Sequence, residues 1–479
     1  MTLVEQFAGF AASADFDTLP SDVVIESKRL LLDAVGCALG GLSHPKGAIG
    51  VEYARRQGPG APADQASIIG TGDKVACVAA GFANAELINA LDFDALLPPG
   101  HVSPYVIPGA LAAAEASGAS GKDLLCGIAV AHELSHRMGK GLDYLRDIKD
   151  GKVSPPPVFG YSSTIFGAAA AVGRVRRFSP QMTTDAIGIA ASMSPVNAQW
   201  SWSVHLPTAT VKYAVAGALV QTAMTGATLA QLGHTGDRQL LDDPVSGWPK
   251  MISSSRWDPA SVTPGLGEVW LFPAKVTYKS YPHCGALHGP IDVVRDIVQS
   301  NRIRPSEIEN IKAWVEAHVI QPLWLNRNIE HVTQAQFSIA HGLSVAAHLI
   351  PPDKAWQSPE VVFDPSVLAL MNKIEVEAHP DYGKLLTSDP ASRPARVEVR
   401  ARGETYTGEK RYPKGGRSPD PSTTVSNEEL FEKFRRNATG VLSADGIETA
   451  TAMIWSLERL ADLGELMHNI HPNCSSTSR

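Results

Sequence analysis

The hydrophobic pattern of this chain changes its period twice, and this change limits the possible folds more than any other feature. Up to about residue 240 apolar side chains recur at helical spacing, as in the segment 22–42, which ends at Gly40-Gly41. Beyond about residue 270 three segments alternate with period two, which is typical of half-buried strands: 311–319, 374–378 and 397–400. Helical spacing returns after a connection rich in Gly, Pro and Ser at 413–422. The pattern therefore predicts strands enclosed between two helical regions.

A chain of 479 residues is too long to fold around a single hydrophobic core of ordinary size, so two domains are expected. We predict a mainly α protein with a large all-α helical domain built from both chain ends, 1–268 and 405–470. A smaller α+β lid domain would span 269–404, and 471–479 would form a disordered tail. A ligand would bind in the cleft between the two domains.

Composition excludes several classes of protein. Apolar residues make up 44% of the chain, charged residues 19%, and the net charge is −7, so no basic surface for nucleic acid is expected. No uncharged apolar stretch reaches 18 residues, which argues against a membrane span. The five cysteines are scattered without a C-x-x-C pair, and the N-terminus resembles neither a signal nor a transit peptide. A cytoplasmic location is therefore expected.

The segment Asp92-Phe93-Asp94, followed by a Pro-Pro-Gly turn and His101, joins two carboxylates and an imidazole in ten residues. A carboxylate beside an imidazole fixes the tautomer of the ring and can raise its basicity, which suits proton transfer. We predict that Asp92 orients His101 for this purpose. The alternative is a helix end with solvated acids and a surface loop.

Two other segments carry ionisable groups in unusual places. Lys212 follows His205-Leu206-Pro207-Thr208 at the start of an apolar helix, where a cation opposes the helix dipole; a lysine that reaches water is the alternative. Lys279 begins a segment that leads into a second helix, and the N-terminus of that helix could bind an anion. The alternative is a capped helix start whose polar groups face water. Candidate substrate-binding residues are Asp94, His205, Tyr281, His283, Cys284 and His288.

His132-Glu133-Leu134-Ser135-His136 matches the zinc-protease pattern H-E-x-x-H. The extended form of that pattern needs a third histidine where this chain has Leu142, and the nearest acids lie in a predicted loop. We therefore expect no metal and keep a zinc-dependent hydrolase only as a distant alternative. The second explanation is a helix whose polar residues face a neighbouring helix or subunit.

Cofactor motifs are also missing from the sequence. Gly70-Thr71-Gly72 lacks the third glycine of a dinucleotide loop, and no G-x-S-x-G elbow occurs. Bases and cations without a cofactor fit chemistry at a carbon beside a carboxylate, where a base moves the proton and cations stabilise enolate-like charge.

From about Val4 to Leu466 the chain resembles the MmgE/PrpD superfamily of dehydratases, decarboxylases and epimerases. The resemblance rests on the order of six segments: 31–36, 90–94 with His101, 120–125, 166–170, 279–288 and 415–434. It implies a homodimer with a helical domain, a lid, and a cofactor-free cleft for di- or tricarboxylates. It also implies that Asp92, His101, Lys212 and Lys279 line that cleft.

The chain departs from the superfamily pattern at four positions near the expected cleft: Ala95 replaces an acid, Leu96 a threonine, Val102 a proline and Val158 a histidine. The pocket is therefore expected to suit a substrate with fewer carboxylates or an apolar substituent. We predict a lyase, dehydratase or decarboxylase, with Lys212 and Lys279 holding carboxylates and His101 moving the proton. An epimerase with the same site is the alternative, and the sequence identifies neither the substrate nor the base.

Overall fold

The computed structural model describes residues 1–142, 147–149, 152–154, 160–195, 199–416 and 418–472. Val158 and most of the predicted tail, 473–479, lie outside these ranges. The mainly α class is confirmed. The helices in chain order are α1 Leu3–Ser13, α2 Ser21–Gly41, α3 Pro45–Arg56, α4 Cys77–Asn89, α5 Ser103–Ser117, α6 Gly121–Gly141, α7 Thr164–Val175, α8 Pro180–Ser192, α9 Gln199–Val204, α10 Ala216–Gln231, α11 Trp248–Met251, α12 His288–Ser300, α13 Pro322–Leu325, α14 Val332–Ala335, α15 Ile339–Ala347, α16 Pro359–Val362, α17 Pro365–Met371, α18 Tyr382–Ser388, α19 Asn427–Ala438, α20 Ala444–Trp455 and α21 Gly464–Asn469.

The helical part is a closely packed bundle in which α4 lies among α2, α3, α5 and α10. Close packing depends on small residues, since a Cβ on Gly167 of α7 would lie 2.4 Å from the Ala131 carbonyl oxygen of α6. From the other end of the chain, α19 and α20 pack against α2. Helices from both chain ends therefore pack against one another.

The strands are β1 Gln65–Ser67, β2 Lys74–Ala76, β3 Leu96–Leu97, β4 Gly100–His101, β5 Asp147–Lys149, β6 Lys152–Ser154, β7 Ile308–Val315, β8 Ile374–Ala378, β9 Ala395–Ala401 and β10 Glu404–Lys410. Four of them form a sheet in the order β10-β9-β7-β8, with β7 and β8 parallel and the other pairs antiparallel. Helices α12 and α15 pack on this sheet.

Three predicted features need correction. Strand β7 ends at Val315 instead of at 319, because Ala317–Val319 form a 3₁₀ turn. Strand β10 pairs with β9 along its whole length, so the sheet continues past the predicted lid boundary at residue 404. Lys212 does not lie at the start of a helix as predicted, since residues 210–213 form a turn in which Lys212 adopts a φ of 62° and α10 begins at Ala216.

One continuous cluster of buried apolar side chains runs through both the helical part and the sheet part. Within the described ranges, no helix combines the length and the apolar character that crossing a membrane requires.

Candidate active site

Asp92 lies just beyond the end of α4, 1% exposed and with a φ of 52°, a backbone conformation that non-glycine residues seldom adopt. Its carboxylate is shared by two cations. Lys279 Nζ lies 2.5 Å from Oδ2 and Lys212 Nζ lies 3.2 Å from Oδ1. Tyr213 donates its hydroxyl to Oδ1 at 3.1 Å. The sequence separation of these residues is large, so the fold alone brings them together.

Each lysine also donates to the backbone beside Asp92. Lys212 Nζ donates to the Asn89 carbonyl at 2.7 Å, and Lys279 Nζ donates to the Asp92 carbonyl at 2.7 Å. The segment that carries Lys279 is held in place by backbone hydrogen bonds in both directions between Thr277 and Leu96, each of 2.8 Å. Side-chain and main-chain contacts together fix the lysines to the loop after α4.

Burial and charge oppose each other in this cluster. Burial raises the pKa of Asp92, but Lys212, Lys279 and His101 outweigh it and hold the pKa well below its ordinary value. Burial, partly offset by Asp92, lowers the pKa of Lys212 to about 8. Asp92 is therefore ionised, and Lys212 can gain or lose its proton near neutral pH.

His101 ends the short hairpin of β3 and β4 and lies beside the same carboxylate. Its Nδ1 is 2.6 Å from Asp94 Oδ2, whereas its Nε2 is 3.7 Å from Asp92 Oδ1. Asp94 therefore orients the ring, and the prediction that Asp92 does so is corrected. With Nδ1 donating to Asp94, Nε2 is directed at the lysine-bound carboxylate. Asp94 is fully buried, and its predicted part in substrate binding stays a prediction.

Sequence reasoning missed two residues of the site. The Tyr213 ring stacks on His101 with centroids 4.8 Å apart, and its position directly after Lys212 was the available signal. Gln336 donates its side-chain amide to the Ala90 carbonyl at 2.7 Å. No local pattern indicates that contact, because Gln336 lies just past α14 and Ala90 just past α4.

Four predicted substrate-binding residues follow Lys279 in the chain, and burial shifts their pKa values. Tyr281 donates its hydroxyl to Asp292 at 2.7 Å. Burial lowers the pKa of His283 to about 3 and that of His288 well below its usual range, so both rings are neutral. Cys284 is half-buried, and burial raises its thiol pKa. These residues therefore add no positive charge to the anion site that the sequence suggested.

His205 lies apart from the other predicted residues. Its side chain is exposed, and its Nδ1 lies 3.3 Å from Ser201 Oγ. Within the part of the chain that the structure describes, no contact joins His205 to Asp92, Lys212, Lys279 or His101. The structure thus brings together all four predicted catalytic residues but not this one.

With this geometry established, comparison with known proteins identifies the family. The model of the MmgE/PrpD N-terminal domain matches residues 5–260, and that of the C-terminal domain matches residues 281–459. The chain belongs to the MmgE/PrpD family. Cis-aconitate decarboxylase of Aspergillus terreus is 25% identical over 98% of this chain and 96% of its own length. The proteins of that name in Mus musculus and Homo sapiens are each 24% identical over 97% of this chain, and over 92% and 94% of their own lengths.

Three of the four departures from the MmgE/PrpD pattern lie in the described structure beside the cluster, and one of them, Val102, is a buried residue directly after His101. Ala95 is buried, and its N–H donates to Asp33 at 2.9 Å. Leu96 is half-buried and adjoins Gly285, where an added Cβ would lie 3.1 Å from Leu96 and 3.6 Å from Lys279 Cε. Leu96 therefore places an apolar side chain close to one of the two lysines.

The H-E-x-x-H helix of this MmgE/PrpD protein is fully engaged in structural contacts. Glu133 pairs with Arg137 at 2.6 Å and accepts the N–H groups of Leu271 and Phe272. His132 Nδ1 contacts the Ile128 carbonyl, and His136 Nδ1 contacts the Pro98 carbonyl. Glu133 is therefore not available as a base. No group of three His, Cys, Asp or Glu side chains among the described residues is arranged to bind a metal ion.

Proposed function

We propose that this protein is a lyase, a decarboxylase or dehydratase, that acts on a small carboxylic acid. The observation that carries the proposal is the shared carboxylate of Asp92, which holds two buried lysines beside His101 Nε2. The relatives named cis-aconitate decarboxylase, aligned over nearly the whole chain, support the same reaction class.

In the proposed mechanism the two ammonium groups bind a carboxylate of the substrate. When a C–C bond to carbon dioxide breaks, the electron pair that remains delocalises into this carboxylate as ene-diolate charge. Lys212 and Lys279 stabilise that charge, and His101 donates a proton to the carbon. In a dehydration, His101 would instead remove the proton before hydroxide leaves. The side chains supply all of this chemistry, so the proposal assigns no cofactor.

We further propose a substrate that carries fewer carboxylates than a citrate-like triacid, or an apolar substituent. Aromatic rings lie beside the cluster, since Tyr161 and Tyr213 contact His101 and the centroid of the Phe337 ring lies 5.8 Å from Lys212 Nζ. A panel of mono-, di- and tricarboxylates tests this, with loss of water or carbon dioxide as the readout. High activity on cis-aconitate or 2-methylcitrate would exclude the narrower substrate class and leave the lyase proposal intact.

Replacing His101 by alanine tests the reaction itself. Turnover should fall by about 10² to 10⁴, the usual size of a general acid–base contribution. The variant should still bind the substrate, because the lysines remain. Turnover equal to that of the unmodified protein would remove His101 from the mechanism.

An epimerase is the second candidate, favoured by one observation. Lys212, with its pKa lowered to about 8, is a second group that can exchange a proton near neutral pH. Incubation of the substrate in D₂O separates the two reactions. Deuterium at the α-carbon without release of water or carbon dioxide indicates epimerisation, whereas release of either indicates the lyase.

The homodimer implied by the family resemblance and the cytoplasmic location expected from the composition remain proposals. Light scattering on the purified protein should give a mass near twice that of the 51.0 kDa chain.

A further inference from the structure

Lys433 on α19 makes three contacts at once behind the candidate active site. Its Nζ lies 2.7 Å from Asp33 Oδ1, 2.6 Å from the Phe93 carbonyl and 3.1 Å from the Lys279 carbonyl. The contacts with the two carbonyls are hydrogen bonds, and the contact with Asp33 is an ion pair. Nζ also lies 3.8 Å from the centroid of the Phe93 ring. Lys433 thus joins the loop after α4 to the segment that carries one active-site lysine.

Asp33 on α2 extends this link. While its Oδ1 pairs with Lys433, its Oδ2 accepts the Ala95 N–H at 2.9 Å. Phe93 and Ala95 flank Asp94, the residue that orients His101. The pair therefore fixes the peptide groups on both sides of that carboxylate as well as the backbone of Lys279.

We propose that Asp33 and Lys433 are positioning residues for the reaction, because they hold the loop 92–95 and Lys279 at the separation that lets Lys279 reach Asp92. This inference rests on the proposed function. Both residues act through the backbone of others, so they are not catalytic residues themselves.

Stability alone is a weak explanation for this pair. A buried ion pair contributes little net stability, because desolvation of the two charges offsets their attraction. Asp92, in contrast, has a left-handed backbone conformation, which persists only where surrounding contacts determine it strongly. Lys279 Nζ contacts the Asp92 carbonyl, and Lys433 contacts the next carbonyl along the chain. These consecutive contacts supply that determination.

The chain offers a matched control in Lys28 on α2. Its Nζ pairs with Glu458 at 2.6 Å and donates to the Trp455 carbonyl at 2.9 Å. Its side chain is 11% exposed, against 10% for Lys433. Lys28 therefore has the same chemistry and burial as Lys433, but it links α2 to the end of α20.

The experiment compares Lys433→Met with Lys28→Met in the full-length protein. Hydrogen–deuterium exchange is followed in peptides covering 92–96 and 278–281, and turnover is measured with the carboxylate that the panel above shows to react fastest. For Lys433→Met we expect faster exchange in both peptides and kcat lower by up to about 10²-fold, the effect of an error of about 1 Å in a catalytic group. Lys433→Arg, which keeps the charge and the donors, should recover part of kcat.

Lys28→Met should leave exchange in both peptides and kcat unchanged. If Lys433→Met behaves like Lys28→Met in both measurements, the positioning role is wrong. Should Lys433→Met fail to fold, Asp33→Asn replaces it and is judged by the same criteria. If the unmodified protein turns over no carboxylate, the proposed function fails. The exchange data alone then decide whether Asp33 and Lys433 hold the two segments. Unchanged exchange in Lys433→Met overturns the inference.

Discussion

Two regions of this protein combine carboxylates with imidazoles, and they have opposite characters. In the H-E-x-x-H helix, Glu133 meets one cation, Arg137, on the next turn of the same regular helix, and each histidine contacts a backbone carbonyl. In the loop after α4, Asp92 meets two lysines from distant segments. The match to a short motif is therefore the poorer guide to function here. One carboxylate neutralises only one of the two lysines that share it. The other lysine keeps a positive charge that can attract an anionic ligand.

The largest effect is expected from a substitution of Glu133 in the H-E-x-x-H helix. Glu133→Gln leaves the fully buried Arg137 charge without its partner, so the free energy of unfolding should fall by about 3–5 kcal/mol. Chemical denaturation measures it, while kcat per folded molecule should not change.

Glu52→Gln is the matched control for that variant, because Glu52 and Arg56 form an i,i+4 pair on the surface of α3. Its cost should be below about 0.5 kcal/mol. Equal losses for the two variants would mean that Glu133 is not the structural residue that its contacts indicate.

In the cluster around Asp92, a substitution is expected to change catalysis instead of stability. Lys279→Met keeps the length of the side chain but removes one of the two cations, so kcat should fall by about 10² to 10³, as for loss of one oxyanion donor. Steady-state kinetics measure this change, and Lys28→Met serves as the control. A variant that retained full turnover would place the carboxylate-binding site elsewhere.

The sequence predicted the helices well, because amphipathic periodicity is local information. The segment 22–42, where apolar residues recur at helical spacing, forms α2, Ser21–Gly41. Prediction from the sequence failed where contacts between distant segments determine the structure. Strand β10 alternates only between exposed and half-buried positions at the edge of the sheet, so its pattern carries no apolar signal. Sequence spacing also does not distinguish Asp92 from Asp94 as the partner of His101, because both lie in the same short segment and only the folded loop fixes the two distances.

A smaller effect is expected from pH, and it sharpens the electrostatic difference between the two regions. An exposed lysine keeps its charge to about pH 10, but burial lowers the pKa of Lys212 to about 8. If protonated Lys212 binds the substrate, kcat/KM should decrease as pH rises through about 8 and should level off below it. A profile that stays flat to about pH 10 would contradict the role of Lys212 as the cation.

The smallest effect is predicted at His205, which the sequence grouped with the site and the structure places on the surface. Its exposed ring contacts Ser201 and has no described link to Asp92 or the lysines, so it can neither bind the substrate carboxylate nor share the low-dielectric environment of the cluster. His205→Ala should therefore change kcat and KM by less than about twofold, the usual range for a surface substitution. A large rise in KM would show that the segment before Lys212 closes over the substrate, and that the surface position of His205 describes only the unliganded protein. His205 lies seven residues before Lys212, so this result also tests whether a substitution at that separation from Lys212 changes kcat or KM.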